Sequence, residues 1–163
     1  MPLILAACGG DKSEEPSLPL SGPGWTAQAP AGWEVERRPR TVIARRPGGA
    51  EKIVVSQFRL PKVFRPALWP KAKPELRKLA DTIAVQTSAN AKVAAPEETR
   101  LAGRRALSFD VTYDRNGEPR VDTLIFLLVG RREFQLTCSL SLEDRAAGDA
   151  ACAQLRRTFR LRA

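Results

Sequence analysis

Histidine is absent from this 163-residue chain, and its absence excludes several kinds of catalytic centre. A serine or cysteine hydrolase with an imidazole base needs that residue, as does a zinc or iron site with histidine ligands. Three cysteines are too few for a four-thiolate zinc site, and no phosphate-binding loop of the type GxxxxGKS or GxxxxGKT occurs. We therefore expect neither a metal ion nor another cofactor.

Acidic residues are fewer than basic ones, with 18 aspartates and glutamates against 27 lysines and arginines, and the positive excess lies after residue 40. A cationic domain suggests a nucleic-acid partner, which would require exposed aromatic side chains among the basic ones. The predicted strand faces are instead apolar or rich in serine and threonine. A nucleic-acid binder is thus the least favoured function, and no nucleic-acid partner is expected.

Carboxylates are the remaining groups that could carry acid–base chemistry. Four of them flank one predicted hairpin: Asp110, Asp114, Glu118 and Asp122. In such positions carboxylates are usually solvated turn residues. We therefore predict that the protein is not an enzyme. The alternative is an envelope enzyme that uses paired carboxylates in a deep pocket.

The N-terminal letters LAAC, Leu5 to Cys8, match a bacterial lipobox, in which a peptidase cuts before the cysteine and the thiol carries lipid. A complete export signal also has a basic region and an apolar core of about 7 to 15 residues. Only seven residues precede Cys8, so we expect the natural start to lie upstream of Met1. A chance match near a cytosolic start is the alternative.

Residues 1–24 are predicted to be a truncated lipoprotein signal followed by a flexible tether. The stretch GGDKSEEPSLPLSGPG after Cys8 is rich in glycine, serine, proline and charge, a composition that does not pack a core. Residues 25–163 remain for one domain, which is long enough to bury a core. No later stretch approaches the roughly 18 apolar residues of a membrane-spanning helix.

The domain begins with predicted strands. Two short extended runs in GWTAQAPAGWEVERR are separated by a turn at Pro30 to Gly32, and TVIARR and EKIVVSQFR flank a hairpin turn at Pro47 to Gly49. From Pro74 the apolar residues Leu76, Leu79 and Ile83 follow helical spacing, with Pro74 in the first turn.

A second strand group follows this helix. RRALSFDVTYD alternates between apolar and polar residues, and Asn116-Gly117 is typical of a tight hairpin turn. VDTLIFLLVG is apolar from Leu124 to Val129, which predicts a central strand with both faces covered. REFQLTCSLSL alternates again, and EDRAAGDAACAQLRRTFRL is a closing helix that places Ala151, Cys152, Leu155 and Phe159 on one face.

Cys138 and Cys152 fall on the apolar sides of this last strand and helix, which a short connection joins. If Cys8 carries lipid, the remaining two cysteines form an even set, as expected of an exported domain. We therefore predict a Cys138–Cys152 disulfide. Two separate buried thiols are the alternative.

This organisation resembles the PsbP-like fold, a family that includes the PsbP subunit of photosystem II and bacterial lipoproteins of unknown function. The resemblance covers about residues 25 to 162 and is carried by the lipobox, the opening PAGWEV, the spacing of Gly103, Ala106 and Tyr113, and the strand end LTCS. It implies an α+β fold in which helices flank an antiparallel sheet, an α/β/α sandwich. It also implies a binding or accessory role.

The segment RLPKVFRPALWPKAKP, residues 59–74, is the candidate binding site, because it is basic, lacks acidic residues and carries two aromatic side chains. Loops on a rigid scaffold often hold recognition residues, and aromatic residues among cations suit a membrane interface or an anionic ligand. The candidate contacts are Lys62, Phe64, Arg65, Trp69, Lys71 and Lys73. The alternative is that Phe64 and Trp69 cover a sheet face while the cations are solvated.

Together these features predict a non-catalytic, lipid-anchored module outside the cytoplasm. Its expected partners are the membrane, through the anchor on Cys8, and an anionic envelope component or an envelope protein complex.

Overall fold

The computed structural model describes residues 16–163, so the predicted lipidation at Cys8 and most of the predicted tether lie outside the described residues. Two antiparallel sheets and two α-helices make up the described chain. The strands are β1 (Ser17–Gly22), β2 (Trp25–Pro30), β3 (Glu34–Arg38), β4 (Thr41–Arg45), β5 (Lys52–Phe64), β6 (Lys92–Val93), β7 (Glu97–Leu101), β8 (Arg104–Arg115), β9 (Glu118–Ser141) and β10 (Arg160–Leu161). The helices are α1 (Trp69–Thr87), preceded by a 3-10 turn at Pro66–Leu68, and α2 (Arg145–Thr158).

The larger sheet is built around β9. Its strand order is β3-β4-β5-β9-β8-β6, with β7 also paired to β8, while β1, β2 and β10 form a separate three-stranded sheet. The β8–β9 hairpin turns at Asn116 and Gly117, whose φ angles of 53° and 81° match the predicted tight turn. Leu124 to Leu127 are buried, so the predicted central strand is confirmed.

Element β9 spans 24 residues but doubles back on itself, because Leu142 N, just beyond its end, donates to Pro119 O, near its start, at 3.1 Å, whereas 24 extended residues would span roughly 79 Å. It is therefore a hairpin, and the two strands predicted from the sequence are confirmed. Its first half pairs with β8, as in Leu107 opposite Phe126, and its second half pairs with β5, as in Ile53 opposite Cys138. Gly130 lies between the halves with a φ of 58°, a conformation that glycine adopts easily. Gly130 is thus the turn of this hairpin, and its two arms pair outward with different strands, β8 and β5.

The two faces of the large sheet carry separate cores. One core joins α2 and the small sheet to residues such as Val55, Ile125 and Leu136, and the other joins α1 to Phe109 and Phe126. Helices thus lie on both sides of a mostly antiparallel sheet. The predicted α+β class is confirmed.

Part of the predicted tether is folded. Residues 17–22 form β1, which pairs along its whole length with β2, and Leu20 is buried in the α2-side core. The prediction of a flexible segment reaching residue 24 is therefore wrong for 17–22. Leu18 and Leu20 alternate with polar residues and supply enough apolar surface for one strand, although the surrounding composition is polar.

The helix limits also differ from expectation. Helix α1 begins at Trp69, five residues before the predicted start, and Pro74 lies inside it rather than in its first turn. Helix α2 ends at Thr158, so Phe159 is buried beyond the helix rather than on its face. The short polar strands β6 and β7 were not predicted, because their pairing with β8 depends on the sheet and not on local apolar pattern. Within residues 16–163, no helix combines the length and apolarity needed to cross a bilayer.

The Cys138–Cys152 disulfide is confirmed. It joins β9 to α2 with a Cα–Cα distance of 5.8 Å, and both residues belong to the α2-side core. The two cysteines are 14 positions apart in sequence, and the bridge between them holds the C-terminal helix on the sheet.

We expect Cys152→Ser, in a Cys8→Ser background that leaves no third thiol, to lower the free energy of unfolding by about 3 kcal/mol, because the closed loop restricts the unfolded chain. Urea unfolding measures this difference. Adding reductant to the Cys8→Ser protein should produce a similar loss, and reductant should not affect the Cys152→Ser variant further. Free labelling of Cys138 and Cys152 by iodoacetamide in unfolded, unreduced protein would contradict the bridge.

Candidate functional site

The candidate segment 59–74 is not a single loop. It comprises the end of β5, the 3-10 turn at 66–68 and the first part of α1. Between Arg59 and Phe64 the pairing of β5 with β9 is interrupted by a bulge, after which Phe64 faces Gly130. The prolines of this segment therefore mark a bulged strand end and a helix start.

Trp69 is buried, with 3% of its surface exposed, so its predicted role as an exposed ligand or membrane contact is wrong. As the first residue of α1, it turns inward onto the core between α1 and the sheet. Its indole Nε1 donates a hydrogen bond to Glu98 Oε1 at 3.3 Å, and the Arg105 guanidinium lies 5.8 Å from its ring centre. Phe64 is half-buried, and its ring meets Trp69 edge-on at 6.3 Å.

Lys73 is held in an ion pair. Its Nζ lies 2.9 Å from Glu98 Oε1, the same oxygen that accepts from Trp69. The hydrogen bond from Lys73, followed by that from Trp69, lowers the pKa of Glu98. Because its charge is matched by this carboxylate, Lys73 contributes little to an anion-binding surface.

The remaining candidate cations are exposed. We call residues 58–71 the basic edge. Its four cations make no ion pair among the described residues, and they are Arg59, Lys62, Arg65 and Lys71. Three of the five exposed large apolar side chains of the described chain also lie there: Phe58, Val63 and Leu68. Sequence reasoning missed these three apolar residues. For Phe58 and Val63 the signal was the failure of β5's alternation after Gln57, where apolar residues no longer fall on one face, whereas Leu68 lies in the 3-10 turn beyond β5.

A small cavity of about 200 Å³ opens beside Trp69. Phe64, Trp69 and Leu128 supply apolar walls, and Arg104 and Arg105 lie at its margin. The cavity is smaller than most ligand pockets, which occupy about 300 to 1,000 Å³. It suits a single apolar group inserted next to positive charge.

The carboxylates flagged in the sequence do not gather in a deep pocket. Asp110, Asp114 and Glu118 are exposed, while Asp122 is buried and accepts a hydrogen bond from the Tyr113 hydroxyl at 3.0 Å. Of the four, Glu118 lines an open cavity of about 530 Å³, which also contains Glu51, Glu143 and Asp144.

In that open cavity Arg46 Nη1 lies 2.8 Å from Asp144 Oδ2 and 3.5 Å from Glu51 Oε2. Each of these two carboxylates is therefore paired with a permanent cation. Among residues 16–163, no group of three or more cysteine, aspartate or glutamate side chains is arranged to hold a metal ion.

The sequence matches no known family model and no curated protein. Its fold, however, is similar to solved structures. CyanoP, the cyanobacterial PsbP of Synechocystis sp. PCC 6803, superimposes with a TM-score of 0.70 at 14% identity, covering 96% of this chain and 98% of that one. LpqN, described as involved in cell envelope biogenesis of Mycobacterium tuberculosis, superimposes with a TM-score of 0.59 at 13% identity, covering 91% of each chain.

A protein of Bacteroides thetaiotaomicron gives a TM-score of 0.60 at 10% identity over 90% of this chain and 48% of that one, so this chain spans about half its length. At such identities the likeness shows the fold alone. The PsbP-like fold predicted from the sequence is confirmed.

We expect Trp69→Ala to lower the free energy of unfolding by about 3 to 5 kcal/mol, because it empties a buried aromatic site in the α1-side core. Urea unfolding measures the change. The adjacent exposed residue supplies the control, since Leu68→Ala should change the same quantity by no more than about 0.5 kcal/mol. Equal stability of the two variants would show that Trp69 is not a core residue.

We expect acid to weaken the contact between α1 and β7. Because the folded state lowers the pKa of Glu98, its contribution is present above the ordinary glutamate pKa of about 4.3 and is lost as pH falls through the lower folded value. Glu98→Gln should therefore be less stable than the original protein at neutral pH, and the difference should shrink in acid. Urea unfolding across this range tests it, with Glu97→Gln as control; a difference independent of pH would contradict the assignment.

Proposed function

We propose that this protein is a lipid-anchored, extracytoplasmic accessory module that binds an anionic surface or component of the cell envelope through its basic edge. The anchor would be Cys8, and the contact would be made by residues 58–71. The observation that carries the proposal is the combination, on one edge, of four exposed cations without carboxylate partners and three exposed apolar side chains.

The disulfide supports the location outside the cytoplasm. Stable disulfides form in oxidising compartments and are rare in the cytosol, where thiols stay reduced. The lipobox letters at Leu5 to Cys8 agree with that location. The shared fold with LpqN, a protein described as involved in cell envelope biogenesis, is consistent with an envelope role.

The arrangement of the basic edge favours a surface contact over a pocketed small ligand. Cations near an anionic bilayer contribute roughly 1 kcal/mol each, and exposed apolar side chains add a contribution that salt does not screen. Trp69 and Lys73 do not contribute to this surface directly. Their hydrogen bonds to Glu98 fix the start of α1 and so stabilise the segment that carries the exposed residues. Phe64, which is half-buried beside the small cavity, lies between these contacts and the exposed residues of the basic edge.

A carboxylate enzyme and a nucleic-acid binder have less support. Glu51 and Asp144 are occupied by Arg46, and the exposed aromatic side chains of the described chain are limited to Phe58. A single ring offers one stacking position, whereas strand binding without sequence preference uses a row of them.

We expect the full-length Cys8→Ser chain, which cannot carry lipid, to bind vesicles of phosphatidylglycerol and phosphatidylcholine weakly and to release them as salt rises. Replacing Lys62, Arg65 and Lys71 together by glutamine should remove about 3 kcal/mol of attraction at low salt, roughly a hundredfold in affinity. Leu68→Ser should instead reduce the binding that persists at high salt. Vesicle co-sedimentation at low and high salt measures both effects.

The matched control is a triple glutamine variant at Arg40, Lys92 and Arg157, which are exposed cations without ion pairs among the described residues. It changes net charge equally but leaves the basic edge intact. If the control lowers binding as much as the basic-edge variant, the attraction reflects total charge alone, and residues 58–71 are not the contact.

A further inference from the structure

A second group of cations lies at the end of the β9 hairpin away from Gly130, where the β4–β5 and β8–β9 turns approach each other. They line a cavity of about 340 Å³: Arg45, Lys52, Arg115 and Arg120. Glu118 is the one acidic residue among the lining residues. This cationic cavity belongs to neither the basic edge nor the core.

Strand register places these side chains on one side of the sheet. Arg45 pairs directly with Lys52 across β4 and β5, and Tyr113 pairs directly with Arg120 across β8 and β9. Directly paired residues share a face, as do residues two apart in a strand. Arg115 accordingly lies over the Tyr113 ring, with its guanidinium 5.7 Å from the ring centre.

Arg120 is the unusual member. Only 5% of its surface is exposed, and its Nη2 donates to the carbonyl oxygen of Ala50 at 2.7 Å. Its Nε has no hydrogen-bond partner, and no carboxylate of residues 16–163 lies within ion-pairing distance of its guanidinium. A buried charge without a counter-charge in contact is unfavourable, which suggests that an anion from outside the chain completes the site.

The neighbouring charges do not supply that anion. Lys52 is half-buried, and burial lowers its pKa most; Asp122 opposes this as the next largest effect, and Arg45, Arg115 and Arg120 lower the pKa further. Asp122 is buried and accepts the Tyr113 hydroxyl, while Glu36 approaches Arg45 no closer than 3.9 Å. Lys52 and Arg115 make no ion pair within residues 16–163, so the cavity holds mutually repelling cations.

We propose that this cavity binds a phosphate group, either a free phosphomonoester or the headgroup of a phosphomonoester lipid. A phosphate carries close to two negative charges and several acceptor oxygens, which suit converging guanidinium and ammonium donors. The cavity exceeds the size of one phosphate, which leaves room for the group to which it is attached. Folding brings these cations together despite their mutual repulsion, which lowers the stability of the folded state. We infer that this loss of stability is retained because the cations bind a ligand.

Thermal unfolding of the full-length Cys8→Ser chain in sodium phosphate, with sodium chloride at equal ionic strength as reference, tests the proposal. Phosphate should raise the unfolding temperature saturably, because it binds the folded state. Lys52→Met should unfold at a higher temperature than the parent without phosphate and should lose at least tenfold in phosphate affinity. Arg115→Gln, at an exposed position, should weaken binding severalfold with little change in basal stability.

Arg59→Gln is the matched control, because it removes an exposed cation from the basic edge and should leave the phosphate response unchanged. Phosphate stabilisation that equals that of chloride, or that persists undiminished in Lys52→Met and Arg115→Gln, would overturn the proposal. Its failure would leave the basic edge untouched, since the two sites share no residue.

Two further probes separate the sources of the phosphate group. Glycerol phosphate should compete with inorganic phosphate if the ligand is soluble. If the ligand is a lipid headgroup, vesicles containing phosphatidate should bind more tightly than vesicles of equal charge made with phosphatidylglycerol. This preference should be lost in Lys52→Met. Either pattern supports the site, and the absence of both overturns it.

Discussion

The β9 hairpin is the constraint on which the rest of the structure depends. Its first arm pairs with β8 and carries the buried run Leu124 to Leu127, and its second arm pairs with β5. Cys138, near its C-terminal end, attaches α2 through the disulfide. Both helices therefore take their positions from this hairpin, because Leu124 and Phe126 belong to the α1-side core, whereas Ile125 and Leu136, on the opposite face, belong to the α2-side core.

The same hairpin separates the two surfaces to which we assign binding. Gly130 faces Phe64 beside the basic edge, whereas Arg120 lies in the cationic cavity. Ten residues of extended chain correspond to roughly 33 Å, so a contact at one surface leaves the other accessible. The two proposals are therefore compatible, with an anionic surface bound at one edge and a phosphate group at the other.

Local patterns predicted much of the fold. Alternation identified β8 and the end of β9, Asn116-Gly117 identified their turn, and the apolar spacing identified both helices. The burial of Trp69 was left open because it depends on Glu98, 29 residues away on a strand with no apolar signal. Local composition cannot show which of two aromatic residues in a basic segment turns inward.

The cationic cavity was missed for a similar reason. The inward face of β9 passes through Leu124 and Phe126, and counting back in steps of two reaches Asp122 and Arg120. That periodicity places a charged residue on a buried face and was available in the sequence. Its neighbours Arg45 and Lys52 come from a distant hairpin, so only the assembled sheet shows that the cations converge.

The proposed function requires that the protein works outside the cytoplasm, attached to a membrane. Mass spectrometry of the natural protein, purified from the membrane fraction without reductant, tests this claim most directly. We expect a mature chain that begins at a lipid-modified Cys8 and contains a Cys138–Cys152 disulfide. Recovery from the soluble fraction with Met1 to Ala7 still attached, an unmodified Cys8 thiol and reduced Cys138 and Cys152 would contradict it.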